Sequence, residues 1–380
     1  MAEERYGIDL LVVGAGVVGA AVAHYAARAG LRVTVVEQAG VASGSTGAGE
    51  GNLLVSDKTP GPELDLALLS MRLWTELAQT VPGFEYEAKG GLVVTGDDTG
   101  LAALRRLAGA QRAAGVTVTE VADPTDCEPH IRTGLAGGVL YPQDAQLMPA
   151  LAAARLLDHP FIRLHTGVTV TGPITSRRGR VVGVTTTEGH YSCGNVAICA
   201  GAASGRLAAA FGTRLPITPR RGVVLVTAPV PPMIRHKVYT ADYVGDVAGD
   251  TAALASSPVV EGTPSGPVLI GATRESVGWD RAIPVTALRT LASGAVALFP
   301  ALAAVPVIRA YAGFRPFSPD HLPVIGPDPE LVGLWHATGH EGAGVGLAAA
   351  TGSLLAQAVT GRTPSLDLTP FRPHRFQEAT

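Results

Sequence analysis

Near its start, the chain shows the alternation of apolar and helical segments that is typical of a parallel βαβ unit. The apolar run Ile8–Val13 predicts a strand, and the alanine-rich stretch around Gly19 predicts a helix that ends near Gly30. A second apolar run, 32–36, predicts the next strand. Because parallel strands are joined by a crossover helix, this order predicts the first unit of a doubly wound α/β sheet.

The rest of the pattern divides into helices and short strands. Apolar residues at helical spacing predict helices over 62–80, 99–114, 149–157 and 284–298. Alternating or short apolar runs predict strands over 90–97, 116–121, 137–145, 162–165, 168–171, 181–187, 190–199, 223–227, 259–260, 268–272 and 334–337. The proline-rich stretch 310–328 predicts turns and loop, and 338–361 predicts a glycine-rich turn leading into a long helix.

Composition and charge narrow the function classes. The 380 residues are 47% hydrophobic and 16% charged, which suits a large buried core, and the net charge is −3. No basic cluster is present, so nucleic acid binding has little support. We find no apolar run of the ~18 residues that a membrane span needs and no signal-type stretch near the start. We therefore expect a cytoplasmic protein without a membrane span.

Three cysteines occur, Cys127, Cys193 and Cys199, without C-x-x-C spacing. We expect them to be reduced thiols in the core or at the surface, and we predict no metal site. An iron–sulfur cluster needs four ligands, so three cysteines cannot hold one within this chain alone.

The first strand–helix turn carries the motif Gly14-x-Gly16-x-x-Gly19, and an acid, Glu37, ends the second strand. In such a motif the first glycine makes a tight turn, the second lets a pyrophosphate approach the backbone, and the third lets helix and strand pack closely. The phosphates then face a helix N-terminus. Glu37 is placed to accept hydrogen bonds from an adenosine ribose, and its charge disfavours NADP. The alternative is an ordinary βα turn.

Three further segments are candidates for ligand contact. Residues 40–52, GVASGSTGAGEGN, are either a ligand loop or a flexible linker, and we favour the loop because a helix follows at once. Gly201 either lets the backbone approach a ligand or makes a plain turn. Residues 338–361 are either a second dinucleotide site or a helix whose N-terminus is aimed at an anionic group. We favour the second, since no trailing acid follows.

Together these segments resemble the D-amino-acid oxidase family of FAD-dependent oxidoreductases over nearly the whole chain. The resemblance is closest to D-hydroxyproline and opine dehydrogenase-like flavin subunits and to glycine oxidase. It rests on the dinucleotide motif with Glu37 and on later blocks: Ser45-Thr46, Glu50-Gly51-Asn52, Gly201, Gly313-Phe314-Arg315-Pro316, Pro323-Val324-Ile325-Gly326 and Thr338 to Gly344.

The resemblance implies an α/β fold: a Rossmann-like FAD-binding domain with an inserted α+β substrate-binding domain that has an antiparallel sheet. We expect the FAD-binding domain over 1–84, 145–215 and 310–380, and the substrate-binding domain over 85–144 and 216–309. In sarcosine oxidases a cysteine just before the substrate arginine region tethers the flavin, but residues 311–313 here read Tyr-Ala-Gly, so we expect non-covalent FAD. The residues predicted to bind it are Gly14, Ala15, Gly16, Val17, Val18, Gly19, Glu37, Gln38, Ser45, Thr46, Glu50, Gly51, Asn52, Val168, Ala200, Gly201, Gly339, His340, Glu341, Gly342, Ala343, Gly344 and Val345.

On the substrate side, Arg315 matches the arginine that holds a carboxylate in glycine oxidase-like enzymes. A guanidinium can grip a carboxylate bidentately; the alternative is a surface ion pair. Tyr239 and Tyr243 are predicted substrate-binding residues, with core or lid packing as the alternative. His340 is the predicted catalytic residue, for acid–base work, with a pocket wall and a structural turn residue as its alternatives.

The resemblance implies oxidation of a small amino acid, a D-amino or secondary (imino) acid such as D-proline or D-hydroxyproline, to the imine by hydride transfer to flavin N5. One alternative is a glycine oxidase of thiamine synthesis that produces hydrogen peroxide. Another is a flavin-holding subunit of a hetero-oligomeric dehydrogenase with little activity alone. We expect an electron-accepting partner subunit or carrier rather than oxygen, because similar dehydrogenases work with iron–sulfur centres on other subunits.

Overall fold

The computed structural model describes residues 7–242 and 255–377. Within them the chain forms, in order, strand β1 (Ile8–Val13), helix α1 (Val17–Arg28), β2 (Val33–Glu37), β3 (Asn52–Leu53), α2 (Pro62–Thr80), β4 (Gly91–Thr95), α3 (Asp98–Ala113), β5 (Thr119–Val121), β6 (Gly137–Tyr141), β7 (Ala145–Gln146), α4 (Pro149–Leu157), β8 (Ile162–Thr166), β9 (Val170–Thr175), β10 (Val181–Thr186), β11 (Gly189–Ile198), α5 (Ser204–Ala210), β12 (Thr218–Thr227), β13 (Lys237–Thr240), β14 (Ala255–Gly262), β15 (Val268–Arg274), α6 (Val285–Leu298), β16 (Val307–Phe317), β17 (Val324–Pro327), β18 (Leu334–Thr338) and α7 (Gly344–Val359).

The first sheet has the strand order β17-β18-β11-β1-β2-β8. Neighbours from β18 to β8 are parallel, β17 is antiparallel at the edge, and β9 and β10 extend from β11 as an antiparallel meander. Leu10 and Val12 of β1 pack in the core that holds α1 and α7, whereas Leu11 and Val13 pack beneath the meander. Burial on both faces explains why β1 is a continuous apolar run rather than an alternating one.

The second sheet has the strand order β16-β12-β15-β14-β13-β4-β6-β5. Its neighbours are antiparallel except β13 and β4, which are parallel, so the predicted antiparallel sheet is in fact mixed. Val260 and Ile270 on one face pack with Leu291 of α6. On the opposite face, Tyr239 and Val259 belong to the same core as α1 and α7. The second sheet therefore packs against the first layer through this face.

The segment 310–328 is where the structure departs most from the expected secondary structure. The predicted loop is wrong for residues up to Phe317, because Val307–Phe317 forms the long edge strand β16 and pairs with β12 along its length. A second short strand, β17, follows at Val324–Pro327. Arg315 therefore lies in a regular strand. The expected domain boundary at 310 falls inside this strand, and we propose placing it after Phe317.

Smaller differences concern strand ends and helix α7. The strand expected over 168–171 lies at Val170–Thr175, so Val168 belongs to the preceding turn. Among the described residues one helical segment, Glu341–Val359, is long and apolar enough to cross a membrane by length and composition, in contrast to the expectation from the sequence. It is 61% buried inside the protein and packs against α1 and α2, so its apolar character is explained by a core position.

Candidate functional site

The turn between β1 and α1 brings the backbones of strand and helix into contact. Gly14 has φ +112°, which favours glycine, and a Cβ there would stand 2.5 Å from the Cys199 carbonyl oxygen. A Cβ on Gly19 would lie 3.1 Å from the Gly14 carbonyl carbon, so α1 packs directly on the turn. Gly16 is the N-cap of α1 and has no side chain to cap it. The turn therefore presents a helix N-terminus of the kind that binds phosphate.

Glu37 ends β2 beside this turn. Its carboxylate accepts hydrogen bonds from the N–H groups of Ala15 (2.9 Å) and Ala39 (3.0 Å). The Val168 N–H donates to the Glu37 carbonyl oxygen at 3.0 Å, which brings the segment after β8 next to β2. Gln38 is exposed beside them. The residues predicted for the adenosine half of the cofactor thus lie together.

Residues 45–52 lie across the same turn and are attached to it. Thr46 Oγ1 accepts a hydrogen bond from the N–H of Val17, the first residue of α1, at 3.0 Å. Ser45 Oγ donates to the Phe314 carbonyl oxygen of β16. Because these contacts fix the segment to helix α1 and to strand β16, the geometry supports the ligand loop over the flexible linker.

The ends of β11 and β18 meet over this loop. Thr338 Oγ1 donates to the Gly201 carbonyl oxygen at 3.1 Å, and a Cβ on Gly201 would lie 3.5 Å from Ser45 Oγ. Trp74 Nε1 of α2 donates to the Val345 carbonyl oxygen at 3.0 Å, which fixes the first turn of α7. The three small-residue segments selected from the sequence are therefore adjacent in the fold.

His340 lies at the base of α7 and is only 3% exposed. Its Nε2 shares a hydrogen bond of 2.9 Å with Thr351 Oγ1, inside the helix packing. Burial lowers the pKa of His340 to about 3, so the ring is neutral at pH 7. This environment supports the structural alternative for His340 rather than acid–base work.

Arg315 is a half-buried cation in β16, held between the two sheets. Its Nη1 donates to the Thr273 carbonyl oxygen of β15 at 2.7 Å. A Cβ on Gly342 would lie 3.4 Å from Arg315 Nε, so the side chain reaches the turn before α7. In the same turn, a Glu341 carboxylate oxygen lies 3.8 Å from Arg220 Nη1. This position is unlike that of a surface ion pair.

Comparison with known proteins identifies the family. Residues 9–358 match the model of the DAO family, FAD dependent oxidoreductase. The chain belongs to this family. Glycine oxidase of Pseudomonas putida is 31% identical over 380 positions, which cover 96% of this chain and 98% of that protein. Hydrogen cyanide synthase subunit HcnC of Pseudomonas aeruginosa is 28% identical, over 97% of this chain and 96% of that protein. The crystal structure of glycine oxidase from Geobacillus kaustophilus matches with a TM-score of 0.87 at 26% identity, over 97% of this chain and 98% of that chain.

The predicted family and fold class are confirmed, and this DAO-family chain is an FAD-dependent amino acid oxidase or dehydrogenase whose cofactor is non-covalent FAD. The residues present fit the cofactor, since a phosphate-binding turn and an acid after β2 stand where the motif requires them. Asn52 Oδ1, at the start of β3, is buried without a hydrogen-bond partner among the described residues. A buried acceptor of this kind suits a polar ligand.

Two charged residues that the sequence reasoning did not select, Lys237 and Glu261, lie in the same sheet as Arg315. Lys237 is 1% exposed and Glu261 is 0% exposed. Val238 pairs with Val260, so Lys237 and Glu261 stand opposite each other on β13 and β14. The sequence does carry a signal for both residues, because Glu261 is a single charge directly after Val259 and Val260, and Lys237 is one of only three lysines.

The predicted tyrosines have different outcomes. Tyr239 is fully buried, and its hydroxyl donates to Ser56 Oγ at 2.5 Å. Burial raises its pKa well above the usual value. These facts support core packing for Tyr239 rather than a substrate contact. Tyr243 lies outside the described residues.

The cysteines are free thiols, and none carries the features of a reactive site. Cys193 and Cys199 are buried, and burial raises the pKa of Cys193 to about 12. Over the described ranges, no group of three or more His, Cys, Asp and Glu side chains is arranged to hold a metal ion.

Proposed function

We propose that this chain oxidises a small amino acid, either a D-amino acid or a secondary amino acid such as D-proline or D-hydroxyproline, to its imine. The observation that carries the proposal is the position of Arg315. Its guanidinium is anchored by the Thr273 carbonyl oxygen and lies against the turn at Gly342. A guanidinium held in this way can grip a substrate carboxylate bidentately and so fix its orientation.

In this proposal the segments gathered around the β1–α1 turn hold FAD. Backbone N–H groups of 14–19 would bind the pyrophosphate, and Glu37, Gln38 and Val168 would hold the adenosine half. Residues 45–52, 200–201 and 339–345 would hold the flavin half. When bound, FAD supplies the hydride acceptor of the reaction.

The chain's own contribution is to orient the substrate and to exclude water. Arg315 takes the carboxylate. We assign His340 a structural role, since its ring is neutral and hydrogen-bonded to Thr351. A substrate amine that binds in its neutral form needs no general base, so we assign none.

A second candidate substrate is glycine. Its support is the similarity to glycine oxidase of Pseudomonas putida along nearly the whole chain. Small changes in a pocket shift preference among small substrates by only ~10- to 200-fold, so similarity at this level leaves both candidates open to the same test.

For the electrons, we propose a partner subunit or a diffusible carrier rather than oxygen, in the cytoplasm. Three scattered cysteines cannot build an iron–sulfur centre, and the sequence has no second complete dinucleotide motif. One full-length relative is named as a synthase subunit, which is compatible with a partner.

Anaerobic mixing of the purified holoenzyme with D-proline, D-hydroxyproline, sarcosine, glycine and an opine tests the substrate. We expect a D-amino or secondary amino acid to bleach the flavin absorbance fastest, whereas fastest bleaching by glycine would select the second candidate. If none of them bleaches it, the proposal is wrong. Air-saturated buffer then tests the acceptor: reoxidation as fast as turnover, with stoichiometric peroxide, would make the protein a simple oxidase.

A further inference from the structure

The sheet face that carries Arg315 continues into a polar cluster of three residues, and the proposed function gives a role only to the one that lies in the segment 45–52. Its members are Glu50, Lys237 and Glu261. Glu50 is half-buried, whereas Lys237 and Glu261 are 1% and 0% exposed. Lysine and glutamate are almost never fully buried without a partner, because removing a charge from water is costly. The burial of these charged residues therefore needs a physical reason.

The cluster members are close to one another but not bonded. Lys237 and Glu261 stand opposite each other in the register of β13 and β14. Yet Lys237 Nζ, both carboxylate oxygens of Glu261 and Glu50 Oε1 have no hydrogen-bond partner among the described residues. The cluster thus presents one amine nitrogen and three carboxyl oxygens that the described part of the protein does not satisfy. Buried polar atoms are normally satisfied, so these suit a polar group from outside the chain.

Glu50 connects the cluster to the substrate arginine. A Cβ on Gly271 would lie 2.6 Å from Glu50 Oε2, so this carboxylate rests on β15, two residues before the carbonyl that holds Arg315. Burial raises the pKa of Glu50, and Lys237 and then Arg315 are the charged groups that most oppose this rise. Arg315, Glu50 and the Lys237–Glu261 pair therefore form a sequence of groups leading from the half-exposed site into the core.

Glu261 is suited to a neutral polar group. Burial raises its pKa to about 8, with Lys237 opposing the shift. At pH 7 the carboxyl group therefore carries its proton and can both donate and accept a hydrogen bond. Lys237 beside it donates. A hydroxyl or an amide has the matching combination of donor and acceptor.

We propose that Glu50, Lys237 and Glu261 form a subsite for a neutral polar group on the substrate side chain, so that the preferred substrate is a small amino acid bearing a hydroxyl or an amide. This inference rests on the proposed function, with the carboxylate at Arg315. Neither glycine nor proline has a side-chain hydroxyl or amide, so neither would occupy this subsite.

Matched substrate pairs test the subsite: D-hydroxyproline against D-proline, and D-serine against D-alanine. Stopped-flow reduction of the holoenzyme flavin gives the substrate Kd and the limiting rate for each member. We expect the hydroxylated member of at least one pair to have a kcat/KM about 10- to 100-fold higher, chiefly through Kd. Lys237→Met and Glu261→Met should bring that ratio close to one. Glu261→Gln should keep most of it, since an amide also donates and accepts.

The control is Lys58→Met, which removes another buried lysine, one that is ion-paired with Asp57 at 2.8 Å. It should lower Tm yet leave the substrate ratio unchanged. A wild-type ratio near one for both pairs would overturn the subsite, and this measurement needs no variant to fold. If Glu261→Gln and Glu261→Met lose the substrate ratio equally, the subsite is overturned too, because Glu261 would then have a purely ionic structural role. If no amino acid bleaches the flavin, the proposed function is wrong. If amino acids bleach the flavin but the hydroxylated members of the pairs are not preferred, only the subsite is wrong.

Discussion

Replacing Gly222 by alanine should displace Arg315 without removing it. Gly222 lies in β12, beside β16, and a Cβ there would stand 2.7 Å from Arg315 Cζ and 2.8 Å from Nη2. Ordinary contact begins at about 3.4 Å, and Arg315 Nη1 is closer to this Cβ than Cζ is, so the guanidinium must retreat by more than about 0.7 Å. Because the clash involves the end of a flexible side chain, we expect the arginine to move and the sheet to stay intact.

The cost follows from the hydrogen bonds that the shift disturbs. A hydrogen bond to a charged group contributes about 1.5–3 kcal/mol, and a misplacement of about 1 Å can cost ~100-fold in rate. We therefore expect Gly222→Ala to lower kcat/KM by about 10- to 100-fold, mainly by raising KM, with FAD content and Tm nearly unchanged.

The assay is steady-state turnover with a dye acceptor and the best substrate from the flavin-bleaching screen, with FAD content and Tm measured in parallel. Gly109→Ala is the matched control, since Gly109 lies in α3 and a Cβ there meets nothing within 4 Å. Its kinetics should equal those of the wild type. A Gly222→Ala enzyme that retains FAD and shows unchanged kcat/KM would refute the role of Arg315 as the carboxylate ligand.

Three further outcomes are expected. Arg315→Ala should keep FAD but lose about 30- to 1,000-fold in kcat/KM in the same dye assay, and an unchanged value would contradict the proposal. Acid precipitation should leave intact FAD in the supernatant, as chromatography can show, whereas flavin on the pellet would mean a covalent link. Burial in the folded protein depresses the pKa of His340 to about 3, whereas its pKa in the unfolded chain is ~6.5. The unfolded chain therefore binds a proton below pH ~6.5 that the folded protein does not bind. The free energy of unfolding should fall by about 1.4 kcal/mol per pH unit as the pH drops below this value. In urea unfolding, the free energy of unfolding of His340→Gln should therefore fall less steeply at acid pH than that of the wild type. Equal slopes for the two proteins would rule this out.

The βαβ unit at the start of the chain could be predicted because its determinants are local. Strand β1 is apolar at every buried position since both its faces are covered, and the run is visible without knowing its neighbours. Gly14 signals its own conformation, because only glycine adopts φ +112° readily. The turn, the helix and the acid after β2 then follow in a fixed order. Such a motif carries most of its structural information within about thirty residues.

Strand β16 could not be predicted in the same way. Its prolines suggest turns, yet Pro316 lies in an edge strand, where a missing N–H disturbs no partner on the open side. Whether a strand lies at the edge of a sheet depends on all the other strands, so the local pattern was misleading. This difference affects the candidate site, since a regular strand rather than a loop sets the position of Arg315.

The polar cluster shows the same limit for function. Glycine-rich segments identify a ligand site because backbone conformation is encoded in the residue itself, but a charge has meaning only beside its neighbours. Glu50, Lys237 and Glu261 come from three distant parts of the chain, and only the register of β13 and β14 sets two of them face to face. A shift of that register by one residue would turn one of the two charges toward α6 and separate them. The structure therefore adds to the sequence chiefly in specificity: the motifs identify the cofactor, and the cross-strand contacts bring together the polar groups that we propose select the substrate.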